Sequence, residues 1–392
     1  MKTLKLSSKY FNIPLEVQFI YNEKNYQVIH NKQEIDNLIK YKNKIDKVSS
    51  QKIWDSTKKL TNDYELIHLP NRKYKSESIA KYDPLSRSYF KLWEIIFDFN
   101  IFENYKSKIT IAGIAEGPGG FIEAINNYRN AYFKIKDDIF GITLKSENKD
   151  IPGWKKANLY LKKNKNIKIC YGEDNTGNLY YLKNILYFNN FIRKNNPDGV
   201  DIITADGGFD FSIDFNNQEK LSHKLIFCEI VTALTIQNIG GTFICKFFDL
   251  YTELSISFIY LLSTFYKDVY INKPLTSRPA NSEKYIIAKN FNGIDKLYLN
   301  KLHQIVNSWD IIDLNNWNSV SIFERNVPKD FIDEILSYNS KNSEMQISNI
   351  EKTLNFISCN KKIEDTKLYQ SKVAKEWCNK YHIKINEKSI FI

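Results

Sequence analysis

A glycine-rich segment in the first third of the chain has the composition of a ligand-binding turn between a strand and a helix. Residues 112–121 read Ala-Gly-Ile-Ala-Glu-Gly-Pro-Gly-Gly-Phe and follow an apolar run that begins at Ile109. Glycines let the backbone turn sharply and approach a ligand closely, and open α/β sheets bind ligands beyond the carboxyl ends of their strands. The segment matches neither the phosphate-binding Gly-x-x-x-x-Gly-Lys-Ser/Thr loop nor a clean Gly-x-Gly-x-x-Gly dinucleotide pattern. Its Gly-Pro-Gly-Gly cluster favours a ligand over the alternative, a tight turn that binds nothing.

Two charged residues stand at the ends of later apolar runs, where they could take part in chemistry. Lys246 lies within Ile-Cys-Lys-Phe-Phe, and charged residues are rarely buried without a reason. A lysine that is buried near other cations has a lowered pKa and can assist in removing a proton. Asp206 follows the apolar run at 201–205 and precedes two glycines, so a simple turn aspartate is the alternative interpretation.

The elements that would position these residues alternate between strands and helices. Apolar runs predict seven strands at residues 109–115, 139–144, 167–171, 200–205, 242–247, 268–272 and 285–288. Amphipathic segments at 121–128, 179–193, 219–238 and 253–265 predict helices between them. This order predicts an α/β fold with a mostly parallel seven-stranded sheet and helices on both faces. The last two strands are joined without a clear helix, so we expect an antiparallel final strand at the sheet edge.

The segments that flank this region are polar and mainly helical. Helical patterns occur at residues 34–47, 51–62 and 86–99, and residues 300–392 carry Trp309, Trp317 and Phe323 as candidate packing anchors. The predicted organisation is an N-terminal extension over 1–75, the α/β domain over 76–299 and a helical extension over 300–392.

Composition narrows the classes of function. The net charge of +11 favours a polyanionic partner, although a solvated lysine-rich surface is an equal alternative. Five cysteines and five histidines form no metal-binding spacing, so we expect no metal site. No apolar segment is long enough to span a bilayer and none resembles a signal peptide, so we expect a soluble, intracellular protein without a membrane partner.

Six segments, in order along the chain, resemble the FtsJ-like methyltransferases. They are residues 86–91 (Ser-Arg-Ser-Tyr-Phe-Lys), 115–121 (Ala-Glu-Gly-Pro-Gly-Gly-Phe), 141–145 (Gly-Ile-Thr-Leu-Lys), 204–209 (Thr-Ala-Asp-Gly-Gly-Phe), 240–250 and 273–285. The long forms of the last three segments are closest to the eukaryotic and large-DNA-virus cap ribose methyltransferases. The resemblance covers residues 80–290 and implies a Rossmann-like methyltransferase fold.

The resemblance implies an S-adenosylmethionine-dependent RNA ribose 2′-O-methyltransferase with Lys91, Asp206, Lys246 and Glu283 as its catalytic tetrad. In this interpretation Lys246 assists deprotonation of the ribose hydroxyl, and Asp206 orients it. Lys91 adds positive charge that lowers the pKa of Lys246, and Glu283 positions a lysine and the ribose. Each of the four residues alone has an ordinary explanation, while the ordered set does not.

The resemblance also implies binding residues. Those expected to contact S-adenosylmethionine are Ala115, Glu116, Gly117, Pro118, Gly119, Gly120, Phe121, Thr143, Leu144, Asp174, Asn178, Leu179 and Asp206. Asn178 departs from the family pattern, which often has an acidic residue there, and Asp174 is a candidate substitute. The residues expected to contact RNA are Arg72, Asn216, Gln218, Ser277, Arg278 and Asn281.

The implied substrate is 5′-capped mRNA, methylated on a cap-proximal ribose, with other capping or transcription proteins as candidate partners. Two alternatives stay open. One is a ribosomal- or transfer-RNA 2′-O-methyltransferase, and the other is a catalytically silent RNA-binding scaffold of the same fold. The compartment, whether nucleus, cytoplasm or viral factory, does not follow from the residues.

Overall fold

The computed structural model describes residues 2–21, 30–69, 78–148, 151–208, 215–309, 320–358 and 363–391. The strands are β1 (Thr3–Lys5), β2 (Val17–Tyr21), β3 (Thr110–Ile114), β4 (Asp138–Ile142), β5 (Ile167–Cys170), β6 (Val200–Ala205), β7 (Gln237–Phe247), β8 (Tyr266–Asn272), β9 (Lys284–Phe291) and β10 (Val320–Phe323). The helices are α1 (Lys32–Ile45), α2 (Gln51–Leu60), α3 (Ser88–Asp98), α4 (Gly120–Phe133), α5 (Asn158–Lys163), α6 (Leu182–Arg193), α7 (Gln218–Ile236), α8 (Glu253–Phe265), α9 (Lys296–Ser308), α10 (Lys329–Ser358) and α11 (Ile363–Lys380).

The main sheet has the order β1-β8-β9-β7-β6-β3-β4-β5. The pairs among β7, β6, β3, β4 and β5 are parallel, which confirms the predicted mostly parallel sheet. The final strand β9 is antiparallel to its neighbours, but its predicted place at the edge was wrong because it lies between β7 and β8. The run Tyr285 to Ala288 is buried on both faces, and a strand of that kind needs a central position.

The predicted count of seven strands in the main sheet was also wrong. An eighth strand, β1, pairs antiparallel with β8, with Thr3 opposite Asn272 and Lys5 opposite Tyr270. Strand β1 has only three residues and lies among lysines, so it shows no alternation of apolar and polar residues. It therefore could not be recognised from its sequence. A separate two-stranded sheet pairs β2 with β10.

The core forms two layers because alternate residues of each strand point to opposite faces of the sheet. Ile111, Ile139 and Ile202 face the layer covered by α3 and α4. Ala112, Phe140 and Ile203 face the layer covered by α6, α7 and α8. Helices therefore cover both faces, as predicted.

The two ends of the chain pack against each other and against the sheet domain. Helix α10 packs on α1 and α2, and Trp93 of α3 donates a hydrogen bond to the carbonyl of Tyr381 (2.9 Å). Trp309 and Phe323 are buried, while Trp317 lies outside the described residues. The boundaries at residues 75 and 299 stay a prediction.

Within the described ranges, no helix is both long and apolar enough to cross a membrane. Nor do these ranges bring three or more histidine, cysteine, aspartate or glutamate side chains into a group that could hold a metal ion.

Candidate active site

The glycine-rich loop between β3 and α4 brings its backbone close to the surrounding segments. Gly119 has a φ of +100°, and a Cβ placed there would lie 2.8 Å from the ring of Trp154. A Cβ on Gly117 would lie 1.9 Å from the carbonyl oxygen of Pro152. Both positions therefore require glycine, as the sequence pattern indicated.

Three segments with predicted donor-binding residues meet at the carboxyl ends of β3, β4 and β5. The N–H of Gly117 donates to the Thr143 hydroxyl (3.4 Å), which joins the glycine-rich loop to the end of β4. Gly177 packs so closely on Thr143 that a Cβ there would lie 1.9 Å from its carbonyl oxygen. Lys145 donates its N–H to the carbonyl of Thr176 (2.7 Å). The predicted residues 115–121, 143–144 and 174–179 are thus brought together.

The turn at residues 174–178 is internally hydrogen bonded. The Asp174 carboxylate accepts from the Thr176 hydroxyl (2.6 Å) and from the Asn184 amide (2.9 Å). These hydrogen bonds, led by that from Thr176, hold the pKa of Asp174 well below its usual range, so it is ionised. The Asn178 side chain accepts from the N–H of Tyr180 (3.0 Å). The Asp174 carboxylate also lies 3.3 Å from the half-exposed Lys183 ammonium, and exposed ion pairs of this kind are weak. The ionised carboxylate therefore fits a polar ligand that carries positive charge.

Lys91 and Glu283 form one ion pair of the predicted tetrad. Lys91 projects from α3, and Glu283 immediately precedes β9, 192 residues later. The Lys91 ammonium lies 2.7 Å from Oε1 and 2.8 Å from Oε2 of Glu283, and the Ser277 hydroxyl donates to Oε1 (2.8 Å). Burial would raise the pKa of Glu283, but Lys91 and Lys246 lower it to about 2. Glu283 is therefore ionised throughout the neutral range.

Lys246 and Asp206 form the second pair, at the ends of β7 and β6. The Lys246 ammonium donates to the backbone carbonyl of Asp206 (2.9 Å) and lies 3.3 Å from Oδ1. Tyr285, opposite Lys246 in the β7–β9 pairing, donates its hydroxyl to the same Oδ1 (3.0 Å). The two neighbouring parallel strands thus deliver one acid and one base to the same edge, because their carboxyl ends lie side by side.

The charge environment of Lys246 differs from the expectation. Burial lowers its pKa, but Asp206, Glu283 and Glu229 together raise it above the usual value. The net shift is upward because the carboxylates around Lys246 outweigh burial, and the role of Lys91 in lowering this pKa stays a prediction. Lys246 is therefore an ammonium near neutral pH.

Two buried carboxyl groups lie beneath the pair of Lys246 and Asp206. Burial raises the pKa of Glu116 well above its usual range, and it raises that of Glu229 to about 8 against the opposing effect of Lys246. Cys245 donates its thiol to Glu229 (3.5 Å). Glu229 is therefore mostly neutral near pH 7, which limits the negative charge that Lys246 experiences.

Some of the residues predicted to contact RNA lie close to Glu283, and others do not. Ser277 and Asn281 lie beside Glu283, and Gln218 accepts a hydrogen bond from Ser282 (2.7 Å). Arg278 pairs with the buried Glu65 (2.8 Å). Asn216 contacts Asn43 of α1 on the surface (3.1 Å), away from these hydrogen bonds, and Arg72 lies outside the described residues.

The model of the FtsJ-like methyltransferase family matches residues 84–291, which is more than half of the chain. The chain belongs to the FtsJ-like methyltransferase family. Its α/β architecture is the Rossmann-like methyltransferase fold with added antiparallel strands.

Curated relatives of this FtsJ-like chain include proteins named cap-specific mRNA (nucleoside-2′-O-)-methyltransferase 1. The Homo sapiens protein is 34% identical over 274 residues, which are 67% of this chain and 31% of that protein. The Drosophila melanogaster protein is 33% identical over 269 residues, 66% of this chain and 32% of that protein. The chain thus spans about a third of the length of these relatives.

Solved structures similar to this FtsJ-like chain include a putative ribosomal RNA methyltransferase from Plasmodium falciparum. The alignment covers 53% of this chain and 99% of the Plasmodium falciparum chain. The identity is 21% and the TM-score is 0.37.

Several residues that shape this FtsJ-like site were not singled out from the sequence. Tyr285 donates a hydrogen bond to Asp206, and Glu229 lies close enough to Lys246 to raise its pKa. Trp154 packs against Gly119. Tyr285 lies opposite Lys246 only because β9 adjoins β7, a neighbour that the sequence did not predict. Glu229 lies in a helix that is buried on nearly every side, where periodicity gives no signal.

Proposed function

We propose that this chain is an S-adenosylmethionine-dependent RNA 2′-O-methyltransferase that modifies a cap-proximal ribose of 5′-capped mRNA. The observation that carries the proposal is the assembly of Lys91, Asp206, Lys246 and Glu283, from four separate elements, into two adjacent ion pairs. The names of the curated relatives support the cap as the substrate class.

The donor would be held by the three segments that meet at the strand ends. The candidate residues are Ala115, Glu116, Gly117, Pro118, Gly119, Gly120, Phe121, Thr143, Leu144, Asp174, Asn178, Leu179 and Asp206. When bound, S-adenosylmethionine supplies an electrophilic methyl group on a positively charged sulfur. Asp174 is ionised, which suits a cationic ligand.

The tetrad would make the ribose hydroxyl a better nucleophile. Lys91 and Lys246 place two positive charges where an alkoxide would develop, and such charges stabilise it most strongly in a site that excludes water. Asp206 raises the pKa of Lys246. Partial neutralisation of Asp206 by a cationic donor would weaken that effect, so that Lys246 could lose its proton to bulk solvent before RNA binds. The neutral Lys246 amine would then accept the proton that the ribose hydroxyl gives up as it is methylated, which restores the ammonium.

The substrate strand would lie over the segment before Glu283. Ser277 and Asn281 adjoin the tetrad, and Arg278 is about one-third exposed while it pairs with Glu65. Arg278 can therefore present part of its guanidinium to a phosphate without losing its carboxylate partner. Gln218, Asn216 and Arg72 complete the proposed RNA contacts, and the net charge of +11 favours the polyanion.

Transfer of a labelled methyl group tests this proposal. The protein would be incubated with labelled S-adenosylmethionine and short RNAs that differ only in an N7-methylguanosine cap, and the product mapped by nuclease digestion. We expect label in a 2′-O-methyl nucleotide next to the cap, in capped RNA alone. Internal label, or equal label without a cap, would favour a ribosomal- or transfer-RNA enzyme. Donor and RNA binding without transfer would favour the silent scaffold.

A further inference from the structure

The segment at residues 273–283, here called the β8–β9 loop, carries Ser277, Arg278 and Asn281 and ends on Glu283. Every proposed contact between this loop and the ribose or phosphates depends on where its backbone lies. It has no helix or strand of its own, so other parts of the chain must hold its backbone in place.

Lys273 closes the loop on itself. Its Nζ donates to the carbonyl of Asn281 (2.7 Å), the side-chain oxygen of Asn281 (2.8 Å) and the carbonyl of Glu283 (2.9 Å). The residue is only 6% exposed, and burial together with Lys284 lowers the pKa of Lys273 to about 7. Lys273 therefore links the start of the loop to its end, next to the tetrad.

Helices α3 and α10 hold the rest of the loop. Glu94 of α3, one turn after Lys91 and fully buried, accepts the N–H groups of Leu275 (2.8 Å) and Thr276 (3.2 Å). Gln346 of α10, which is 5% exposed, donates its amide to the carbonyl of Ala280 (2.9 Å).

The contacts of Lys273 and Gln346 come from the same side of the loop. Both residues line one small polar cavity of about 10 Å³, together with Asp249 and Lys284. A space no larger than a water molecule leaves little room for the loop to shift toward α10.

We propose that Lys273 and Gln346 are positioning residues that set the RNA-facing geometry of the β8–β9 loop, and that α10 therefore belongs to the substrate site. This inference rests on the proposed function for its consequences in catalysis. Neither side chain touches the reacting atoms. Each acts through the backbone that presents Glu283, Ser277 and Asn281.

The test compares Gln346→Met and Lys273→Met with two matched controls. Asn355→Met changes an exposed amide on the same helix, and Lys267→Met changes an exposed lysine on β8. Measurements are hydrogen exchange of a peptide covering 274–283, the Kd for S-adenosylmethionine, and kcat and KM for capped RNA. Gln346→Met is the milder variant, and it keeps the test decisive if Lys273→Met fails to fold.

We expect faster exchange within 274–283 in both test variants and in neither control. KM for RNA should rise roughly tenfold in Gln346→Met, the equivalent of one lost hydrogen bond, with the donor Kd unchanged. In Lys273→Met, kcat should fall as well, because the carbonyl of Glu283 loses its partner. A general loss of stability would not separate donor binding from RNA binding in this way.

Different results would overturn the proposed function and the positioning role of Lys273 and Gln346. Absence of methyl transfer by the unmodified protein would overturn the proposed function, while exchange in the loop would still decide whether Lys273 and Gln346 hold it. Exchange equal to the controls would overturn the inference even in an active enzyme. Faster exchange with an unchanged KM for RNA would also overturn it, because the loop would then move without consequence for the substrate.

Discussion

At the scale of single residues, the site is a balance of buried charges. Lys246 is surrounded by Asp206, Glu283 and Glu229, and its pKa is raised because their combined effect exceeds that of burial. Glu229 is mostly neutral near pH 7, so the local negative charge is smaller than a count of carboxyl groups suggests. The proposed catalytic lysine is thus kept charged by the carboxylates around it.

Lys246→Ala should abolish methyl transfer and leave donor binding nearly intact. General acid–base catalysis typically contributes about 10²- to 10⁴-fold, so we expect a fall in kcat of at least that order. Turnover would be measured with capped RNA, and donor binding by calorimetry. Lys267→Ala, at an exposed position of β8, is the control and should behave like the unmodified protein. Near-normal turnover of Lys246→Ala would remove it from the tetrad.

Glu229→Gln should change how stability depends on pH. Burial raises the pKa of Glu229 to about 8, whereas in the unfolded chain it is about 4.3. Between these values the folded protein holds the extra proton, so the free energy of unfolding falls as pH rises. Glutamine does not titrate, and the variant should gain stability relative to the unmodified protein from pH 5 to pH 9, by up to about 1.4 kcal/mol per unit of pKa shift.

Urea unfolding at several pH values measures that change. Glu344→Gln, at an exposed position of α10, is the matched control, and its stability difference should stay flat over the same range. A flat difference for Glu229→Gln would show that this carboxyl group is already ionised in the folded protein.

At the scale of elements, the glycine-rich loop joins the donor site to the helix that carries Lys91. A Cβ on Gly120 would lie 2.2 Å from the Ser86 hydroxyl and 2.4 Å from that of Ser88. The start of α4 therefore packs directly on the start of α3. A shift of the loop would move both the donor and Lys91.

Gly117→Ala should weaken donor binding because its Cβ would lie 1.9 Å from the Pro152 carbonyl oxygen. The backbone must move to relieve that overlap, and we expect the Kd for S-adenosylmethionine to rise by at least about tenfold, or roughly 1.4 kcal/mol. Gly153→Ala is the control, since its Cβ would come no closer than 3.7 Å to Leu144. Equal Kd values for the two variants would contradict the close approach at Gly117.

At the scale of the whole molecule, the net positive charge and the two ends of the chain both bear on the proposed substrate site. Fifty-six lysines and arginines exceed forty-five aspartates and glutamates. The first strand extends the sheet, and α10 reaches the loop that precedes Glu283. Segments at the two ends of the chain thus contact β8 and the β8–β9 loop.

Binding of short RNA should weaken steeply as salt rises. Each phosphate contact releases condensed counterions, so log Kd against log salt should have a slope of roughly 0.7 per contact for single strands. Fluorescence anisotropy at increasing salt measures the slope, and donor binding under the same conditions is the control. A slope near zero would mean that the positive charge is a solvated surface and does not serve RNA binding.

The sequence by itself determined the alternating strands and helices, the glycine-rich turn and the candidate tetrad. Buried strands are apolar runs, and Gly117 and Gly119 are needed wherever the backbone turns or packs this tightly. Asp206 and Lys246 stand at strand ends, and parallel strands align those ends at one edge. Local pattern was enough for the strands, the helices and the glycine-rich turn, because each depends on residues close together in the chain, whereas the candidate tetrad followed from the ordered resemblance to the family.

The tertiary structure alone decided the partners and the charge states. The place of β9 between β7 and β8, the pairing of β1 with β8, and the contact of Gln346 with Ala280 join residues far apart in sequence. The raised pKa of Lys246 likewise depends on carboxylates from three other segments. Such effects are set by distance in space and by burial, which no local pattern of residue types encodes.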